Sequence, residues 1–122
     1  GITGARKAAA IAESAEASVA LHQAQSPLNT AINAHVHASI PNFLIQECFD
    51  DFLVPWARDI VHGVPRVMDG TITPSDAPGL GVTLDEEKMD KYERYFEEKG
   101  DYYARFHQDP RRPDWYPIVG GW

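Results

Sequence analysis

Two short apolar runs constrain this chain more than any other feature. The first, 18–21 (SVAL), ends at His22, and the second, 43–45 (FLI), closes on Gln46 and Glu47. Each is preceded by a helical pattern. Before the first, Ala5, Ala8, Ala9, Ala12 and Ala15 recur at helical spacing behind Thr3, a fair N-cap. That predicts a helix over 3–15 whose small stripe packs closely on a sheet. Before the second, Ser26-Pro27 opens a helix with proline at its first position, and Leu28, Ala31, Ile32, His35 and Ser39 share one face until Pro41 stops the run. Helix, strand, helix, strand in that order means buried parallel strands joined by crossover helices.

Two parallel strands do not make a stable sheet alone, because all-parallel sheets are covered on both faces and contain more strands. The chain also begins at Gly1 rather than methionine, with the helical signal starting almost at once. The expectation is therefore a piece of a larger α/β protein, two short parallel strands and their helices plus a loop-rich C-terminal subdomain, with an upstream part missing.

Beyond Glu47 the texture changes. Residues 49–81 carry four prolines and several glycines between short apolar runs, which reads as a loop-rich excursion with a small hairpin near 66–72. Asp85 caps a last helix, with acids in its first turn, a stripe of Met89, Tyr92 and Phe96, and Gly100 as a stop. The tail, 101–122, is aromatic and proline-rich. There is no internal repeat. The change of texture divides the chain into 1–47 and a loop and helix segment over 48–122.

Bulk properties narrow the function. An apolar fraction of 43% suits a globular core, and no run of 18 apolar residues exists, so a membrane partner is not expected and a cytoplasmic location is the default. The net charge is -7, with basic residues scattered among acids and only Arg111 and Arg112 adjacent, which argues against nucleic acid. Cys48 cannot form an internal disulfide and, beside Glu47, Asp50 and Asp51, reads as a buried bystander.

In parallel α/β architectures catalytic groups gather at the C-terminal ends of strands, and this chain puts an ionisable residue at each such end: His22 and Glu47. A histidine there can take a proton from a carbon acid near neutral pH, while a carboxylate opposite orients the substrate or shares a proton. Taken singly, each residue reads equally well as a loop histidine and a solvated glutamate. His35 and His37, two apart on a helix, point to different faces and do not form a metal pair; His35 is expected on the barrel side and His37 outward or toward a subunit. Asp50-Asp51 reads as loop surface, the acids after Asp85 as capping and dipole, and 78–81 (PGLG) as a turn. Trp56, just past Glu47, is the tryptophan expected near a ligand; Trp115 and Trp122 read as packing.

Taken in order, GITGARK, the ALH ending in His22, SPLNTAINAHVHASIPNFLIQE ending in Glu47, DAPGLGVTLDEEKM and RPDWYPIVGGW resemble the C-terminal third of the mandelate racemase and muconate lactonizing enzyme group of the enolase superfamily, nearest its galactonate and mannonate dehydratase branch. The likeness spans nearly the whole chain, and the order of five weak motifs is what makes it specific.

The resemblance implies a TIM barrel in which Gly1 is the second glycine of a GGIT motif opening the helix after the sixth strand, with His22 ending the seventh strand and Glu47 the eighth. His22 is then the catalytic acid or base, working with an aspartate that would precede Gly1. The glutamate of the eighth strand contacts the substrate carboxylate in that family, which puts Glu47, and the nearby Trp56, in the substrate site. The chain is then the C-terminal part of an α/β barrel, its last two strands and their helices, with 1–47 as barrel segment and 48–122 as the loop and helix segment that completes the barrel and packs on a missing capping domain. The cofactor implied is Mg2+, its acidic ligands lying upstream, so that no metal ligand is expected in this chain.

The implied partners are a small-molecule acid sugar and the missing N-terminal part of the same enzyme, in a homo-oligomer. The reaction implied is that of a hydro-lyase, which converts an aldonate to a 2-keto-3-deoxy-aldonate by abstracting the proton next to the carboxylate. The particular sugar stays open, since galactonate dehydratases differ on both sides of the histidine that His22 matches. A racemase or cycloisomerase of the same superfamily, or a non-catalytic truncated fragment, are the alternatives.

Overall fold

A computed structural model describes residues 1–49 and 57–99. Three helices, α1 (Ile2–Ser14), α2 (Pro27–Ala38) and α3 (Glu86–Lys99), and two short strands, β1 (Val61–His62) and β2 (Thr83–Leu84), follow one another as α1, α2, β1, β2, α3. Among the described residues no helix is long and apolar enough to cross a membrane.

The alanine-rich stretch is α1, since alanine loses no side-chain entropy in a helix. It starts one residue earlier than its sequence indicates. Gly1 is the N-cap and no side chain caps it, so Thr3 lies inside the first turn instead of before it. At its end the Ala17 N–H donates to Ala12 O and the Glu16 N–H to Glu13 O, each at 2.9 Å. That is the double bond of a Schellman stop. Glu16 supplies its left-handed residue, with φ 55, where glycine is the usual occupant.

The two apolar runs do lie side by side and parallel, but their pairing is one bridge, Val19 to Phe43. The Val19 N–H donates to Asn42 O at 2.8 Å and the Leu44 N–H to Val19 O at 2.9 Å. Neither run is buried as a central strand: Phe43, Leu44 and Ile45 are 45%, 66% and 62% exposed. Helix α2 covers the pair only in part, through His37 on Phe43, and leaves Leu44 and Ile45 uncovered among the described residues. An apolar groove of about 460 Å³ lies there, lined by Phe43, Leu44, Ile45, Val67 and Ile72 among others. Cys48 also lines it and is half-buried rather than buried.

Helix α2 turns a different face inward from the one its apolar residues mark. Thr30, Asn33 and His37 are buried beside Ala31, Ala34 and Val36, while Leu28, Ile32 and His35 are half-buried and Ser39 is exposed. His37 therefore points inward, contrary to expectation, and stacks on Phe43 with ring centroids 4.6 Å apart. His35 bonds Ala31 O at 2.9 Å through Nδ1.

The expected hairpin closes at Met68 and Thr71, joined by reciprocal backbone bonds of 2.8 and 2.9 Å. Asp69 (φ 50) and Gly70 (φ 76) form its two-residue turn, with the positive φ at both positions that a type I′ turn needs. The 78–81 turn is closed by the Gly81 N–H bonding Pro78 O at 3.3 Å.

The β1–β2 ladder pairs Val61 with Leu84 and His62 with Thr83, antiparallel, inside the stretch that reads as loop. It delivers Asp85 to the head of α3, where Oδ1 accepts the Lys88 N–H at 3.0 Å, the expected cap. On α3, Tyr92 is half-buried and its hydroxyl donates to Asp59 Oδ2 at 3.1 Å, while Met89 is 41% exposed and does not form the packed stripe expected of it. The side chain of Phe96, together with Gly100, Trp115, Trp122, Asp50 and Asp51, lies outside the described residues.

Candidate active site

His22 and Glu47 are 25 positions apart, and the single parallel bridge brings them together, because paired parallel segments bring their C-terminal ends to the same side. His22 Nδ1 stands 2.6 Å from Glu47 Oε2, and the same oxygen accepts the backbone N–H of Gln23 at 2.7 Å. The histidine side chain is 71% exposed and that of the glutamate 33%. Trp56 lies outside the described residues.

The Gln23 N–H, and after it the His22 ring, hold the Glu47 carboxyl below its ordinary value against a partial burial that pushes the other way. An ionised carboxylate only accepts, so the neutral ring beside it carries its proton on Nδ1 and presents the Nε2 lone pair outward. Such a pair can collect a proton at Nε2 as an imidazolium stabilised by the carboxylate, then hand it on. The resemblance implied an aspartate preceding Gly1 as the partner of His22; in this structure the Nδ1 position is taken by Glu47.

A polar stripe on α2 braces both segment ends. Asn33 Nδ2 donates to His22 O at 3.1 Å. His37 Nε2 accepts the Leu21 N–H at 3.2 Å, which leaves its Nδ1–H for Gln46 Oε1 at 3.0 Å, and Gln46 Nε2 donates to Thr30 O at 3.2 Å. The residues flanking the pair, Leu21, Gln23 and Gln46, are thus each tied to a neighbouring element. Thr30 and Asn33 went unmarked in the sequence, and His37 was read as facing outward, because polar residues at helical spacing read as a solvated face; their recurrence at i, i+3 and i+7 was the available signal.

Among the described residues no group of three His, Cys, Asp or Glu side chains could hold a metal ion.

Residues 1–88 match the family described as enolase C-terminal domain-like. The D-gluconate/D-galactonate dehydratase of Picrophilus torridus is 42% identical over 91 residues, which covers 75% of this chain and 23% of that protein. The D-gluconate dehydratase of Thermoproteus tenax is 32% identical over 92 residues, covering 75% and 18%. Among solved structures, an enolase from Pantoea ananatis with bound D-gluconate and Mg is similar at a TM-score of 0.67 and 34% identity, over 75% of this chain and 22% of that one.

The chain thus spans about a fifth of the length of the relatives it matches. Shared fold at this identity establishes the class as α/β, a segment of a barrel domain. A match that takes in both His22 and Glu47 and most of the chain around them makes this chain a member of the enolase C-terminal domain-like family.

Proposed function

We propose that this chain supplies the proton-transfer end of a magnesium-dependent acid-sugar dehydratase, which converts an aldonate to the 2-keto-3-deoxy acid. The observation that carries the reading is the 2.6 Å contact that ties Nδ1 of the exposed His22 ring to Glu47 and leaves Nε2 for a substrate. Nε2 takes the proton next to the substrate carboxylate, or delivers one to the hydroxyl that leaves the neighbouring carbon as water. The names of these two relatives, dehydratases of gluconate and galactonate, favour loss of water over racemisation.

Glu47 binds substrate in this reading. Its Oε1 has no hydrogen-bond partner among the described residues, and an ionised carboxylate accepts a sugar hydroxyl more readily than it faces the like-charged substrate carboxylate. Trp56 is assigned to the same substrate site from its place in the sequence. Magnesium binds through residues outside this chain, on the remainder of the same enzyme. That enzyme works as a homo-oligomer, with 48–122 closing the barrel against its capping domain.

The test is a screen of the full-length polypeptide, with magnesium, against gluconate, galactonate, xylonate and mannonate, following the 2-keto-3-deoxy product. Dehydration of at least one is expected. Failure on a broad acid-sugar set, with the protein folded and metal-loaded, contradicts the reading.

A further inference from the structure

The side chain of Gln23 is wholly buried, one residue from an exposed histidine, and it is held at both ends of its amide. Nε2 donates to Ser26 O at 3.1 Å and to Thr30 Oγ1, and Oε1 accepts the Phe49 N–H at 3.4 Å. Ser26 O can only accept and the Phe49 N–H can only donate, so the amide has one allowed orientation; flipped, it would face donor to donor and acceptor to acceptor. The amide therefore joins three pieces of chain: the end of the first apolar run, the head of α2, and the segment just past Glu47.

These bonds leave the Gln23 backbone little freedom. That backbone carries the N–H seated on Glu47 Oε2 at 2.7 Å, and the same oxygen holds His22 Nδ1. The geometry points to Gln23 as a positioning residue for proton transfer: its buried amide locks the N–H that seats Glu47, and Glu47 in turn fixes the tautomer and aim of His22. The inference rests on the proposed role of the pair and extends it to a residue that touches no reacting atom. Loss of the amide bonds frees the backbone N–H, so Glu47 loses its principal support as an anion. The ionisable group facing Glu47 among the described residues is His22, and its attraction alone remains.

The experiment compares the full-length protein with its Q23M variant, which keeps the length and burial of the side chain and removes its hydrogen bonds. The Glu47 carboxyl is titrated by 13C NMR of glutamate-labelled protein, its signal assigned by its loss in E47Q. In Q23M the Glu47 midpoint is expected to move upward, toward the ordinary carboxylate range. A fall in kcat of at least about tenfold is expected at neutral pH, the scale of a misaligned catalytic group. A folded Q23M with an unmoved midpoint, or with a moved midpoint and unchanged kcat, overturns the inference.

If Q23M does not fold, T30V removes one amide partner, and the same upward movement, smaller, is expected there; no movement overturns the inference equally. Should the wild-type protein dehydrate no acid sugar, the proposed function fails, while the NMR titration still decides whether Gln23 seats Glu47.

Discussion

Glu47 Oε2 receives two hydrogen bonds from neighbouring residues of one segment, the ring of His22 at 2.6 Å and the backbone N–H of Gln23 at 2.7 Å. One oxygen thus holds the ring and is itself held, which in the proposed function orients the base and leaves Oε1 for substrate. E47Q disturbs both functions, since an amide offers one acceptor oxygen and adds donors where the ring and backbone already donate. It is expected to lower kcat by about one to two orders of magnitude, within the range of acid-base contributions. Magnesium affinity, measured by calorimetry on the full-length protein, is expected to stay close to wild type.

Glu47 also carries a pH signature. Its pKa in the folded protein is lowered, so its bonds support the site above the ordinary carboxylate value and fail as pH falls through the lowered one. The Glu47 carboxyl, followed by 13C NMR, should therefore titrate lower in wild type than in H22N, where the ring no longer helps to keep the carboxylate charged.

At the head of α3, Asp85 is drawn down from 3.8 to about 2, first by the Lys88 ammonium at 2.9 Å, then by the Lys88 N–H and by His62. A lowered folded-state pKa means stability that is present above about 3.8 and lost as pH falls toward about 2. D85N should melt a few degrees below wild type at pH 7, and the gap should close near pH 2. A gap that widens on acidification would reverse the sign of this linkage.

Gly63 (φ 82) passes so close to the Gly81 carbonyl oxygen that a Cβ there would run into it. G63A is expected to destabilise the full-length protein by about 1–3 kcal/mol, since backbone and not a flexible side chain must yield. Glu16 presents the opposite case, an exposed residue held at φ 55, and E16G is expected to be neutral or stabilising by up to about 1 kcal/mol. Thermal melts read both.

Much of this was legible in the sequence where local chemistry decides the outcome. Ser26-Pro27 starts α2, Asp85 caps α3, and Asp69-Gly70 turns the hairpin because each residue acts through its own backbone or its nearest neighbours. His22 and Glu47 were legible as segment ends, and their meeting followed from parallel pairing. The inward face of α2 was not: Thr30, Asn33 and His37 are buried because they bond to the two segment ends, a tertiary reason that apolar periodicity does not carry. The β1–β2 ladder, two residues a side, is too short to show alternation. Glu16 stops α1 in place of glycine, so no stop signal was there to read.

The most direct measurement is the steady-state kcat of H22N in the full-length, magnesium-loaded protein on whichever acid sugar it dehydrates. Asparagine can keep a bond to Glu47 Oε2 but has no basic nitrogen to present at Nε2. A fall of at least about a hundredfold in kcat, with unchanged melting temperature and metal content, is the expected result. Near-normal kcat in a folded, metal-replete H22N would place the base on another part of the enzyme and leave His22 as a wall of the site.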